Sequence, residues 1–300
     1  MKTLACILLL SGLCLGEALA DTPIRLQQAA DPGVHVSIHN VKGTVSVIGW
    51  DRAEVQLSGQ LGEGARPLAM SGDRHQLAIK VVPQGGPGWF NWRGDNNMAP
   101  THLELHVPRT ASLDIHLVSA RLAVDGIDGG SIVVNTVSGK VRIDARTPSL
   151  KVDSVSGGVS LSGRAERAEL QTVSGDILAP DLGREVTLQT ISGHIRAGGG
   201  PWQKLILSTV SGAVQLNGKL ANRGRIDVDS MSGDVQLQLP ADTSAKVHAS
   251  SFSGDLKSNF GTPEKAEHGP GSTLQAQLGN GQGSIQVETF SGDLQLSRKN

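Results

Sequence analysis

The chain has 300 residues, with 38 glycines but only four Trp, four Phe and no Tyr, and its 27 Lys and Arg against 28 Asp and Glu give a formal net charge of −1. No run of like charges stands out, so the basic stripe of a nucleic-acid binder is absent and no nucleic-acid partner is expected. The glycines follow no collagen period, and beyond the N-terminus no apolar segment approaches the ~20 residues of a membrane-spanning helix.

Residues 1–20 read as an export leader. Lys2 precedes an apolar run from Leu4 to Leu15, and Ala18-Leu19-Ala20 before Asp21 has the small residues of a cleavage site. The mature chain is expected to start at Asp21, with no transmembrane segment after cleavage. Cys14 follows Leu13 and Cys6 lies too early, so neither suits lipid attachment. Both cysteines fall in the leader, so the exported chain is expected to rely on packing and backbone pairing rather than disulfides.

Residues 30–110 alternate apolar and polar positions with the two-residue period of strands, as in Val34, Val36 and Ile38, in Val45 and Val47, in Leu77, Ile79 and Val81, and in Leu103, Leu105 and Val107. They are expected to form an N-terminal β region that caps the rest and runs into it.

From residue 111 a phrase repeats: Val137-Ser138-Gly139-Lys140-Val141, Val155-Ser156-Gly157-Gly158-Val159, Val173-Ser174-Gly175-Asp176-Ile177 and Ile191-Ser192-Gly193-His194-Ile195. Further copies centre on Ser211, Ser232, Ser253 and Ser291, and a degenerate one on Ser119; the serines are spaced 19, 18, 18, 18, 19, 21, 21 and 38 residues apart. A fixed period of this length marks a solenoid. Each coil reads as strand, Ser-Gly corner, strand and return loop. An apolar residue every six positions would indicate a hexapeptide β-helix, but Leu170, Val173, Ile177 and Leu182 are spaced 3, 4 and 5. The expected fold is therefore all-β: a β-solenoid with two short strands per coil and a period of 18–21 residues. It is expected to be one domain over 21–300, with repeated coils over about 111–298. The column Val137, Val155, Val173, Ile191, Val210, Met231, Phe252, Phe290 is expected to point inward, beside an inward ladder of hydroxyls from Thr136 to Thr289. Leu274-Ala276-Leu278 is expected to supply the coil missing from the 38-residue gap.

The leader, the segments Gly43–Asp51 and Leu103–Pro108, and the serial Val-Ser-Gly-Asp-Val coils together resemble the bacterial envelope β-solenoid family of "putative adhesins", a domain of unknown function, over roughly residues 30–298. The resemblance implies an extracytoplasmic, non-enzymatic, all-β protein. It brings no catalytic residues.

Candidate chemistry is sparse. A glycan-active solenoid would cluster carboxylates on adjacent coils; Asp234 with Asp255, and Asp227 with Asp229, are the candidate pairs, but polar residues are ordinary at tight corners. His102 and His106 share a strand face, as do His35 and His39, but residues four apart on a strand are ~13 Å apart, too far for one metal. No cofactor and no metal are expected. Gly279-x-Gly281-x-Gly283 lacks a following helix pattern and reads as a turn.

One segment does not read as scaffold. Trp89, Phe90, Trp92 and Arg93 cluster in a glycine-bounded stretch without strand alternation, as a partner-binding loop would, or a plug over the end of the core. The chain as a whole reads as an exported scaffold, periplasmic or associated with the cell surface, for adhesion or envelope interactions. Its partner would be an envelope or extracellular protein or glycan. The alternatives are a polysaccharide-active solenoid enzyme, favoured by a carboxylate cluster in a groove, and a self-assembling structural solenoid, favoured by uncapped ends.

Overall fold

The computed structural model describes residues 22–84, 98–265 and 270–299, which form strands and connecting turns with no helix among them. The leader expected over residues 1–20 lies outside the described residues. The N-terminal strands are β1 (Thr22–Ala29), β2 (His35–Trp50), β3 (Glu54–Leu61), β4 (Met70–Gly72), β5 (Gln76–Lys80) and β6 (Thr101–Pro108). The first half of β2 lies parallel to β5 and the second half parallel to β6. Antiparallel neighbours follow: β4 on β5, β3 on β6, and β1 on β3. These strands cover the open edges of the two faces that β2 begins, the usual remedy for unpaired backbone.

The body is built from β7 (Ser112–Asp128), β8 (Ile132–Ser138), β9 (Val141–Ser156), β10 (Val159–Ser174), β11 (Ile177–Ser192), β12 (Ile195–Ser211), β13 (Val214–Ser232) and β14 (Val235–Pro240). All pair in parallel. Each long strand bends halfway, so its first part lies on one face and its second part on the other, and the Ser-Gly corner turns the chain back. The phrase serines stack in register, Ser138 on Ser156, Ser156 on Ser174, Ser174 on Ser192, Ser192 on Ser211 and Ser211 on Ser232. Extra residues in the longer periods are absorbed at the far bend, where the pairing of β12 with β13 shifts around Trp202, a fully buried ring. The core between the faces is a stack of aliphatic rungs: Leu150 and Val152, then Ala168 and Leu170, then Val186 and Leu188 on one side, with Val141 and Ile143 opposite, all at most 2% exposed.

The corner glycine is required by close approach. A Cβ at Gly157 would overlap the carbonyl oxygen of Gly139, one at Gly175 that of Gly157, and one at Gly193 that of Gly175. Gly157, Gly175 and Gly193 lie outside the left-handed region, so stacking distance rather than backbone freedom excludes a side chain there. The same approach reveals a coil that sequence reading passed over. Lys42 is registered with Ser119, so Val41-Lys42-Gly43 occupies the corner of the first coil with lysine in place of serine.

The C-terminal strands are β15 (Ala245–Ser253), β16 (Leu256–Ser258), β17 (Glu264–Lys265), β18 (Ser272–Leu278), β19 (Gly283–Ser291) and β20 (Leu294–Lys299). Here the expected order fails. β18, which contains Leu274, Ala276 and Leu278, is not a further coil: it runs antiparallel to β15 along the sheet edge, with β17 antiparallel beyond it. After a turn in which Gly279 and Gly281 take φ of 52° and 65°, β19 enters between β13 and β15, and β20 between β14 and β16. The last phrase in sequence is thus the penultimate rung in space, and Ser291 stacks between Ser232 and Ser253.

Candidate functional site

Alternation along a strand fixes which residues face out. Val152 and Ser154 are two apart and both buried, so Val155 between the hydroxyl and the corner points to solvent. The expected inward column is therefore corrected: Val137, Val155, Val173, Ile191, Val210, Met231, Phe290 and Phe252 all face outward, together with Val118 before them, each 42–60% exposed. Val41 on the first coil continues the row, and the C-terminal insertion sets its order as Met231, Phe290, Phe252. The two phenylalanine rings stack with centroids 4.9 Å apart and planes 9° from parallel.

The hydroxyl ladder is inward as expected. Thr136, Ser154, Thr172, Thr190, Thr209, Ser230, Thr289 and Ser251 are 2–6% exposed. Ser154 donates to the Gly157 carbonyl at 3.3 Å and Ser251 to that of Gly292 at 3.2 Å. Thr136 and Ser230 bond corner carbonyls in the same way at 3.4 Å, which a Val or Ile could not do, whereas the hydroxyls of Thr172, Thr190, Thr209 and Thr289 are buried without a partner among the described residues.

The exposed row floors a groove of about 2410 Å³ that runs from Val82 and Pro83 at the N-terminal end to Gly271 and Thr273 at the other. A polar row runs beside it. At the N-terminal end this row is Lys80, His39 and His116. The two imidazoles stack at 4.7 Å, and Asp114 holds the outer side of His116 at 3.0 Å. Burial pushes the His39 pKa down, and the neighbouring His116 and Lys80 push it further the same way. In the middle, Lys151 binds Glu169 at 2.7 Å and reaches Asp153 at 3.8 Å. At the far end Asp229 is registered with Glu288, and Arg225 holds Asp227. Burial raises the Asp229 pKa, and the charges of Glu288 and Asp227 add to the rise.

Of the two carboxylate pairs considered for catalysis, Asp234 and Asp255 do not meet. Asp234 and Asp255 are separated by Asp293, because β20 lies between β14 and β16. Asp234 accepts the Asp293 N–H at 3.0 Å and Asp293 accepts the Asp255 N–H at 2.9 Å. Asp176 likewise accepts the His194 N–H at 2.8 Å. At Asp176, His194, Asp234 and Asp293 the side chain after the corner thus ties down the next coil. Asp227 and Asp229 do lie together, on the outer face beside the apolar row. His102 meets the Thr44 hydroxyl at 2.8 Å, and no group of three His, Cys, Asp or Glu among the described residues is placed to hold a metal. Trp89, Phe90, Trp92 and Arg93 lie outside the described residues. The apolar surface that the coils expose is this row, whose signal in the sequence was parity: it stands one residue out of step with the core rungs.

Fold and surface together define a two-faced parallel β-solenoid with capped edges and an apolar outer stripe. The chain belongs to the Toastrack DUF4097 family, whose model matches residues 35–297. Three solved structures are similar over 93% of this chain. A putative lipid binding protein from Parabacteroides distasonis shares 11% identity at a TM-score of 0.51, over 97% of its own length. A putative adhesin from Bacteroides fragilis shares 12% at 0.36 over 98% of its length, and a putative cell adhesion protein from Clostridium sporogenes shares 13% at 0.23 over its whole length. At these identities the first likeness speaks for the fold alone. No curated protein matches the chain. No helix among the described residues is long and apolar enough to cross a membrane.

Proposed function

We propose that this protein is an exported, non-enzymatic envelope scaffold, periplasmic or associated with the cell surface, whose outer apolar row is its adhesive contact surface. The observation that carries the reading is the row itself. Nine large apolar side chains, about half exposed, stand in one line along the coils. Exposed apolar surface that is contiguous rather than scattered marks an interaction site. The scaffold holds it in one line at the ~4.8 Å strand spacing. The leader read in residues 1–20 supports export, and the corner carboxylates Asp176, Asp234 and Asp293 are taken up by backbone contacts between coils.

The test is binding of the purified protein to envelope fractions. A Val173→Asp/Ile191→Asp double variant is expected to lose binding while melting like the parent, whereas Gln236→Asp, on the opposite outer face, should bind normally. Equal binding by all three proteins would sink the proposal. Trp89, Phe90 and Trp92 are proposed as a second contact, from their clustering in a chain with eight aromatics. Their triple alanine variant should bind less without melting earlier, and unchanged binding would remove them from the site.

A further inference from the structure

The described part of the molecule leaves one large surface without a partner, and its charges are arranged so that they specify what can cover it. The ladder from Val41 to Phe252 has ten rungs, so at strand spacing it is ~43 Å long, and the seven-residue strand segments that carry it are ~20 Å wide. That face offers ~900 Å² per copy, close to the ~800 Å² per partner of a standard stable interface. The polar row beside the ladder is asymmetric along the solenoid axis. Its N-terminal end carries Lys80, His39 and His116, the last paired with Asp114 on its outer side, and its C-terminal end carries Asp229 and Glu288, with Asp227 behind them already held by Arg225. In the centre Lys151 is already paired with Glu169.

We propose that this face seats a second copy of the same chain, bound face to face with the two solenoid axes antiparallel. The inference rests on the reading of the ladder as the contact surface and names its occupant. Two copies can meet face to face about a two-fold axis lying either along the solenoid or along the strands. An axis along the solenoid places acidic end on acidic end. An axis along the strands, near Val173, lays each apolar row on its partner and reverses the polar rows. The Lys80–His39–His116 end then covers the Ser250–Glu288–Asp229 end, twice over by symmetry. End-to-end growth is disfavoured by the short antiparallel strands β4 and β17, three and two residues long, at the outermost edges of this face.

Sedimentation velocity of the purified protein over a concentration series tests this. The parent is expected to be a dimer. Ile191→Asp should raise the dissociation constant about a hundredfold or more, because the two-fold places each substitution in the interface twice, with an unchanged circular dichroism spectrum and, at concentrations where both proteins are monomeric, an unchanged melting temperature. Asp229→Lys/Glu288→Lys should weaken the dimer about tenfold, and adding Lys80→Glu to it should recover most of that loss. A parent that stays monomeric at every concentration, a dimer indifferent to Ile191→Asp, or a charge reversal that Lys80→Glu does not repair would overturn the antiparallel dimer. If the parent is monomeric yet Ile191→Asp still loses envelope binding, the ladder remains the contact surface with another occupant. If Ile191→Asp changes neither mass nor binding, both readings fall.

Discussion

At the scale of single residues, the coil separates positions that composition treats alike. Leu188 and Ile191 are both large aliphatics on β11, one fully buried and the other 52% exposed. Leu188→Ala should therefore cost about 2–5 kcal/mol, while Ile191→Asp, compared with the parent at concentrations where both are monomeric, should stay within about 0.5 kcal/mol of it. Thermal melting of the two variants checks this, and equal losses would contradict the outward assignment. Gly175→Ala tests the corner: its Cβ would meet the Gly157 carbonyl, so a loss of about 1–3 kcal/mol is expected. Asp229 bears on pH. Its folded pKa is raised by burial first and by Glu288 and Asp227 next, so its charged form weakens the fold above that pKa and the penalty disappears as the pH falls to the ordinary carboxylate value of ~3.9. Asp229→Asn should raise the melting temperature at neutral pH, and the gain should shrink to nothing in acid. A gain that persisted at low pH would assign the effect to something other than the charge.

At the scale of elements, the strands form because apolar residues recur every second position, and they stack because each coil repeats the same parity. Two regions depart from simple stacking, one near each end. β1 and β3 close one face at the N-terminus, and β18 turns back along β15 before β19 and β20 are inserted inside the stack. The insertion has a testable consequence. A chain ending at Leu278 would lose a rung from the interior rather than the last rung, and β13 and β15 would face each other across the gap. Such a truncation should abolish cooperative melting or leave β15–β18 open to proteolysis. A truncated chain that melts cooperatively with only a small loss and resists protease would contradict the inserted topology.

At the scale of the whole molecule, stability in a solenoid is close to a sum of coil terms and neighbour terms. Interior coils have neighbours on both sides, whereas the end rungs are finished by short or antiparallel strands. Native-state amide exchange should therefore be slowest in β10, β11 and β12 and faster in β4, β16 and β17, which have at most three residues each. Uniform protection from end to end would mean that the fold opens only as a unit. The stripe also exists only at this scale, since no single coil contributes more than one exposed apolar side chain to it.

The amino-acid sequence by itself determined the coil. The Val-Ser-Gly period, the two-residue alternation and the glycine at every corner except that of Ala120 specify strands of similar length joined by one kind of turn, and local chemistry suffices to read them. It also held the information that Val155 and Ile191 face outward, since they are out of step with Val152 and Leu188. Apolar character alone pointed the other way, because burial of hydrophobic residues is a one-way rule and a large share of any surface is apolar. Only the tertiary structure decided the order of the last rungs. A strand with the repeat pattern can pair with any coil of the same parity, and the choice of β13 and β15 as the neighbours of β19 depends on the turn at Gly279–Gln282 and on β18 occupying the outer edge of β15. Only that stacking placed Phe290 against Phe252 and Asp229 beside Glu288, residues about 40 and 60 positions apart whose meeting depends on backbone hydrogen bonds between coils rather than on any local signal.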